Sequence, residues 1–398
     1  MSRRKWAVAG PWAAFVFYLA VALEVIVMIT PFTAYFYSIY APILQFLEAR
    51  PATAWLTAFF LPHISDSSDP VLTGLTYLGP ILFGVGLVIF LICAFQVYSA
   101  KLFKRGVVSR GLYARIRHPQ YLGLAVAGLG LLLYWPRFII LVLYVAMLFL
   151  YYVLARDEER RMTRRYGAWY RSYARSMPMF VPGEPGGRML ARVTGGRPVG
   201  ASTLALLFGI SLVASLGAAA ALRSYSKAQL TTVREGNIVA VSMTAGDKET
   251  LRERLGTALA DPQVLERVSA HERDHTLVAY VLPQDYMMQH LIADLAEHES
   301  HHGGEGSSGL FATVRHLAEM YALKPLRQLR AGADSPRQRV IFTEAQTSAG
   351  RPVPANRALA VGVLRFPLFF SDLENARVVM TMDMPPRHTW GTIPVPAF

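Results

Sequence analysis

Apolar residues in this chain fall in long runs separated by short basic stretches, and the pattern breaks near residue 225. Residues 11–29, 72–100, 121–135, 138–154 and 201–222 are nearly free of charge. At about 1.5 Å per residue, most of these runs are long enough to cross hydrocarbon as helices. The first follows Arg3-Arg4-Lys5, as a signal peptide would, but it is too long for one and no Ala-x-Ala site comes after it. It reads as a retained anchor, with one carboxylate, Glu24, inside it. Residues 40–64 are apolar too, but Pro42, Glu48, Arg50, Pro51 and Pro62 interrupt them, which predicts an interfacial or re-entrant segment. The runs 121–135 and 138–154 turn at Pro136-Arg137 and predict a helical hairpin with nearly matched arms, the first of them short for a bilayer.

Beyond residue 225 the period changes. "NIVAVSM" (237–243), "HTLVAYVLP" (275–283), "RVIFTEA" (339–345), "RALAVGVLRF" (357–366) and "ARVVMTMDM" (376–384) predict strands. Residues 247–271 and 284–299 have helical spacing, and "GGEGSSG" (303–309) predicts a loop. Strands mixed with a few helices make a compact α+β domain.

Composition sharpens this picture. The 398 residues are 53% hydrophobic and only 17% charged, the balance of a membrane protein rather than of several soluble domains. The net charge of +13 arises from Lys and Arg at 3–5, 101–117 and 156–197, beside the apolar runs, so topology and anionic lipid account for it. No aromatic-basic interleaving points to nucleic acid. If all three basic clusters are cytoplasmic, five spans connect them, with the N-terminus inside and the tail outside. The expectation is an all-α polytopic membrane domain of about five transmembrane helices, followed by a smaller extracytoplasmic α+β domain. Residues 1–71 are its anchor and interfacial segment, 72–200 its core, 201–224 its last span and 225–398 the outer domain. A bacterial inner (plasma) membrane is the expected location. The single Cys93 lies in an apolar run and excludes an internal disulfide.

Candidate chemistry sits at the hairpin's edge. "GLYARIRHPQYLGLA" (111–125) sets Arg117, His118 and Tyr121 against an uncharged run, and Asp157-Glu158-Glu159 follows the second arm. A hairpin returns its ends to one membrane face, so the Arg-His side should meet the Glu-Glu side. Such a cluster suits a zwitterionic ligand: carboxylates for an ammonium, Arg or His for a carboxylate, Tyr for stacking or a hydroxyl bond. Taken singly, each residue also has an ordinary reading as an interfacial anchor. Glu24 is open in the same way, as a functional group or as a partner for a neighbouring helix.

The combination resembles a family. "RHPQYLG" (117–123), a two-helix hairpin, "EERRMTRRYGAWYRSY" (158–173) and "MFVP" (179–182) look like the isoprenylcysteine carboxyl methyltransferase and phospholipid methyltransferase superfamily, over about residues 72–182. The resemblance implies an integral-membrane enzyme using S-adenosylmethionine on a lipidic or prenylated acceptor, with its cofactor face on the cytoplasmic side of residues 72–200. It implies that Tyr113, His118, Pro119, Tyr121, Glu158, Glu159 and Tyr170 bind the cofactor, with Gly123 allowing close approach. Arg117 and Glu159 become the catalytic candidates, and Tyr173 joins Tyr170 on a closing helix. Leu112 stands where the family has Pro, and Tyr166 where it has Phe; neither change removes a polar group. The competing reading is a non-catalytic scaffold that keeps the fold and uses the tail to dock a protein partner.

"HESHH" (298–302) has the His-Glu-x-x-His spacing of zinc peptidases. Gly303-Gly304 should end the helix where the second ligand is needed, so the expectation is a polar loop and no metal site.

Overall fold

The computed structural model describes residues 46–61, 69–103, 107–181, 199–244, 246–272, 275–284 and 336–384, with single positions between 19 and 32. The predicted anchor is otherwise outside these residues, as are Glu24, the 284–299 helix, the 303–309 loop and the 298–302 His cluster. Contacts divide the chain into two units: one of residues 1–39, 78–134 and 139–217, the other of 40–77, 135–138 and 218–398.

The helices are α1 (Pro70–Leu102), α2 (Pro119–Tyr134), α3 (Phe138–Ser176) and α4 (Ala201–Ala228). Among the described residues α1, α3 and α4 are long and apolar enough to cross a membrane. The apolar arms 119–134 and 138–154 are nearly matched, although the helices that carry them differ in total length. α2 has 16 residues, whereas α3 has 39 and runs on through the basic stretch after residue 154. The charged residues of 156–176 stay helical because none of them is a proline and several are good helix formers.

The first unit is held by a glycine seam. A Cβ on Gly123 of α2 would lie 2.7 Å from the Phe90 nitrogen of α1, and one on Gly79 would lie 3.1 Å from the Gly130 carbonyl. Gly86 and Gly130 face the opposite backbone in the same way. Small residues let two helices approach until their backbones touch, which supplies packing where lipid offers no hydrophobic drive. α4 is the contrast: 6% of its most apolar window is buried, so its apolar face is left for lipid.

The second unit is built on one six-stranded sheet in the order β1 (Thr232–Glu235), β2 (Ile238–Ser242), β3 (Thr276–Pro283), β4 (Arg337–Thr347), β5 (Val363–Glu374), β6 (Arg377–Asp383). All neighbours are antiparallel except β2 and β3, whose parallel pairing requires a crossover. α5 (Lys248–Leu259) and α6 (Pro262–Glu272) provide it. Leu251, Leu255, Val264 and Val268 cover one face of the sheet, over Ala240, Leu277, Ala279 and Phe342. On the other face Val239, Val241, Val278, Tyr280, Ile341 and Phe370 form a second cluster. Burial on both faces is why "TLVAYVLP" reads as a continuous apolar run instead of an alternation.

Three expectations for this unit change. The helix at 247–271 is two helices, because Asp261 caps a new start through the Gln263 and Val264 amides and Pro262 fits a first helical position. The strand at 357–366 begins only at Val363, after a 3-10 turn at Ala355–Arg357 and a left-handed Gly362 at φ 78°. It then continues through Pro367, which sits at the register shift opposite Thr343. β1, too short to stand out in the sequence, pairs back on β2 around Gly236 at φ 56°.

The interrupted segment 46–61 contains a turn and a 3-10 helix, Ala54–Thr57, and no helix of spanning length. It binds the hairpin tip: Phe60 donates its N–H to the Pro136 carbonyl at 2.8 Å, and Phe138 donates to Ala58 at 3.1 Å. Arg137 at that tip is buried, reaches the Thr57 carbonyl and stacks 4.2 Å from the Phe59 ring centroid. Burial lowers its guanidinium to about 10, so it stays charged at neutral pH.

Candidate functional site

Pro119 opens α2, where its missing N–H costs nothing and its fixed φ suits the first turn. The two residues before it are fixed by backbone bonds: Arg117 donates its N–H to the Pro178 carbonyl at 2.9 Å, and His118 donates to Met179 at 3.1 Å. That returning segment also places Phe180 against the His118 ring at 5.8 Å.

α3 supplies the opposite wall. Tyr151, Ala155, Glu158 and Glu159 stand at i, i+4, i+7 and i+8, the spacing of one helical face. Tyr151 stacks on Tyr121 at 5.1 Å and Ala155 is fully buried, so the carboxylates that follow are brought to the start of α2. Arg117 Nη1 lies 2.6 Å from Glu159 Oε1, and His118 Nε2 lies 3.2 Å from that same oxygen. The other imidazole nitrogen, Nδ1, is 3.7 Å from Glu158 Oε2. His118 is 3% exposed, while the Glu158 side chain keeps 33% of its surface, so the cluster is closed on the histidine side and open on the Glu158 side.

α3 is not straight. Gly167 has φ 57° and ψ −126°, a conformation that side-chain-bearing residues rarely adopt, and the helix kinks there. Past the kink Tyr170 is buried within electrostatic reach of Glu159 and Arg117. Tyr173 donates its hydroxyl to the Tyr113 carbonyl at 2.6 Å. Tyr113 lies in the 3-10 turn Gly111–Ala114 and bonds through its own hydroxyl to Gln120 and to the Cys93 carbonyl. Burial, then Cys93 and Glu158 nearby, push its phenol pKa upward, so it acts as a neutral donor.

The structure thus brings together Arg117, His118, Glu158 and Glu159, with Tyr113, Tyr121 and Tyr170 around them. Gly123 stands apart. The space a side chain would need there is filled by the Phe90 backbone, so this glycine serves the packing of α2 on α1. Asp157 is half-exposed and pairs with Arg161 at 3.1 Å along the helix surface.

Gln120, Tyr151 and Phe180 are members the sequence reading did not single out. Helical arithmetic could have found Tyr151, seven residues before Glu158. Gln120 occupies the unspecified slot of the Arg-His-Pro-x-Tyr motif, and nothing in the sequence announces its bond to Tyr113.

Chemically, two carboxylates against one guanidinium and one imidazole make a centre for a ligand carrying both signs of charge. The aromatic rings beside it favour a cation such as a sulfonium. Among the described residues no group of acids, His and Cys could hold a metal ion.

No curated protein and no solved structure matches the chain. The stretch that holds the hairpin and the carboxylate pair, residues 75–168, matches the phospholipid methyltransferase family, part of the integral-membrane methyltransferase superfamily.

Proposed function

We propose that the protein uses S-adenosylmethionine to methylate a lipid-like or membrane-embedded acceptor, of isoprenylcysteine-carboxylate or phospholipid-amine type. The convergence of Arg117, His118, Glu158 and Glu159 carries this reading. The donor set fits the cofactor: Glu158 or Glu159 for the methionine ammonium, Arg117 for its carboxylate, and Tyr121, Tyr170 and Phe180 for a sulfonium or a ring. When bound, S-adenosylmethionine supplies a methyl group already activated for displacement.

The work left to the chain is alignment and exclusion of water, which can account for most of the acceleration in such a transfer. His118 is fixed by its backbone bond to Met179 and held between two carboxylates, so its ring presents a defined edge. A carboxylate acceptor needs no base, whereas an amine acceptor must arrive deprotonated. Arg117 offsets the charge that Glu159 keeps when the ligand leaves.

The Lys and Arg distribution supports placing this site on the cytoplasmic face and residues 225–398 outside the cell. Reporter fusions at residues 110, 185 and 230 test that placement, and a cytoplasmic signal at 230 contradicts it. Titration of labelled S-adenosylmethionine into detergent-purified protein tests the function. Binding with a dissociation constant on the order of micromolar is expected, and His118→Ala should weaken it while the protein stays folded. Folded wild-type protein without measurable binding would favour the scaffold reading.

A further inference from the structure

Gln96 lies on α1, one turn after Cys93 and on the same side of the helix. Its carboxamide packs beneath the 3-10 turn that carries Tyr113. A Cβ on Gly111 would lie 3.4 Å from Gln96 Nε2 and 3.6 Å from Oε1. Gly111 is also left-handed, at φ 64°, so the backbone crosses the amide at a point where a side chain would be strained and would rest in contact with the carboxamide.

The polar groups around this amide are engaged. The Tyr113 hydroxyl donates to Cys93 and Gln120, and the Tyr113 carbonyl accepts from Tyr173. Gln96 Oε1 is different: it is buried from solvent and has no hydrogen-bond partner. Turning the amide over only puts the NH2 group in the same buried place. An unmade buried hydrogen bond is a substantial cost, and a chain that keeps one at a site has a use for it. The Tyr113 wall is continuous with the charged cluster, since Glu158 is close enough to act on the Tyr113 hydroxyl.

Taking the methyltransferase reading as its basis, we infer that Gln96 is a specificity-determining residue whose carboxamide binds the purine edge of the methyl donor. The charged cluster takes the amino-acid end of that ligand. Its nucleoside end then needs a place that is uncharged, partly apolar and still open to hydrogen bonding. Gln96 supplies one. A carboxamide presents an acceptor and a donor side by side, the pattern complementary to adenine: Oε1 accepts from the 6-amino group while Nε2 donates to the adjacent ring nitrogen. Gly111 keeps the backbone from covering that edge with a side chain.

The test is binding, measured by calorimetry on the full chain in detergent. Two probes are compared: S-adenosylhomocysteine, and its analogue whose purine lacks the 6-amino group. Wild-type protein should prefer the first by about tenfold. In Gln96→Leu the preference should vanish, because affinity for S-adenosylhomocysteine should fall about tenfold further than affinity for the analogue, which loses only the ring-nitrogen bond. Gln96→Met, of similar length, serves if the leucine variant does not fold. A folded variant that keeps the wild-type preference overturns the inference and leaves the methyltransferase reading intact. Folded wild-type protein that binds neither probe overturns both.

Discussion

Each unit of the molecule buries an arginine against a carboxylate, and the two pairs are built differently. In the sheet, Arg339 grips Asp372 with two parallel bonds, Nε to Oδ1 at 2.5 Å and Nη2 to Oδ2 at 2.7 Å. Gln284 donates a third bond to Oδ2, and the guanidinium lies 3.9 Å from the Phe370 ring centroid. Every oxygen is spoken for. In the helical unit, Arg117 and His118 both converge on a single oxygen of Glu159, and Glu158 stands beside them with a third of its side-chain surface open. The first arrangement is a closed structural pair, since a buried charge is tolerable when its partner is fixed and its lone pairs are used. The second crowds its charges onto one atom and leaves the neighbouring Glu158 carboxylate only loosely paired, 3.7 Å from His118 Nδ1 and a third exposed, which suits a group that must exchange partners when a ligand arrives.

Breaking the closed pair should have the largest effect. Asp372→Ala strands the Arg339 guanidinium under the sheet and should cost about 3–5 kcal/mol, seen as protease sensitivity and a lowered melting transition of the C-terminal domain. Cofactor affinity, normalised to folded protein, should hardly move. The open pair should behave in the opposite sense. Glu159→Gln leaves the helices packed, so stability should change little, while S-adenosylhomocysteine affinity falls by roughly 10- to 100-fold, the worth of a charge-assisted hydrogen bond. Equal effects of the two substitutions on stability would remove the distinction.

Two smaller changes sharpen it. Gly167→Ala meets no atom within 4 Å, so its cost is purely conformational, about 1–3 kcal/mol for forcing a side chain into that backbone. It should act on ligand affinity through Tyr170 and Tyr173 more than on the stability of α2. Asp247→Ala removes the cap that accepts from the Thr250 amide at 2.7 Å and should lower the melting midpoint of the sheet unit slightly. The Thr250 bonds hold the Asp247 carboxyl below its usual range, so its contribution is present above the ordinary carboxylate value and is lost as pH falls through the lower folded one. Wild type and variant should therefore converge in acid.

The parts of the molecule legible in the sequence were those set by long periods or by chain reversal. Uninterrupted apolar runs gave α1, α3 and α4, and the turn at Pro136-Arg137 was enough to bring His118 to Glu158 and Glu159. Local punctuation was harder to weigh. Asp261-Pro262 splits a helix that the apolar spacing carries straight through, while Pro367 fails to end a strand because a bulge absorbs it. Gly123 was ambiguous for another reason. Its place in a motif suggested a ligand, but a missing side chain serves a helix contact equally well, and the Phe90 backbone opposite it shows that contact. Gln96, Gln120 and Arg137 were silent because a polar residue's use depends on what the fold sets opposite it.

The glycine seam has a consequence for motion. Gly79 and Gly86 are two turns apart on α1, as are Gly123 and Gly130 on α2, so the helices mesh like paired racks. Sliding or rotating one against the other would drive a side chain into backbone. The wall that bears Gln96, Arg117 and His118 is therefore a fixed jaw. Adjustment to a ligand would then fall to the far side of the Gly167 kink, where Tyr170 and Tyr173 ride on a short helix tied to that wall by the Tyr173–Tyr113 bond.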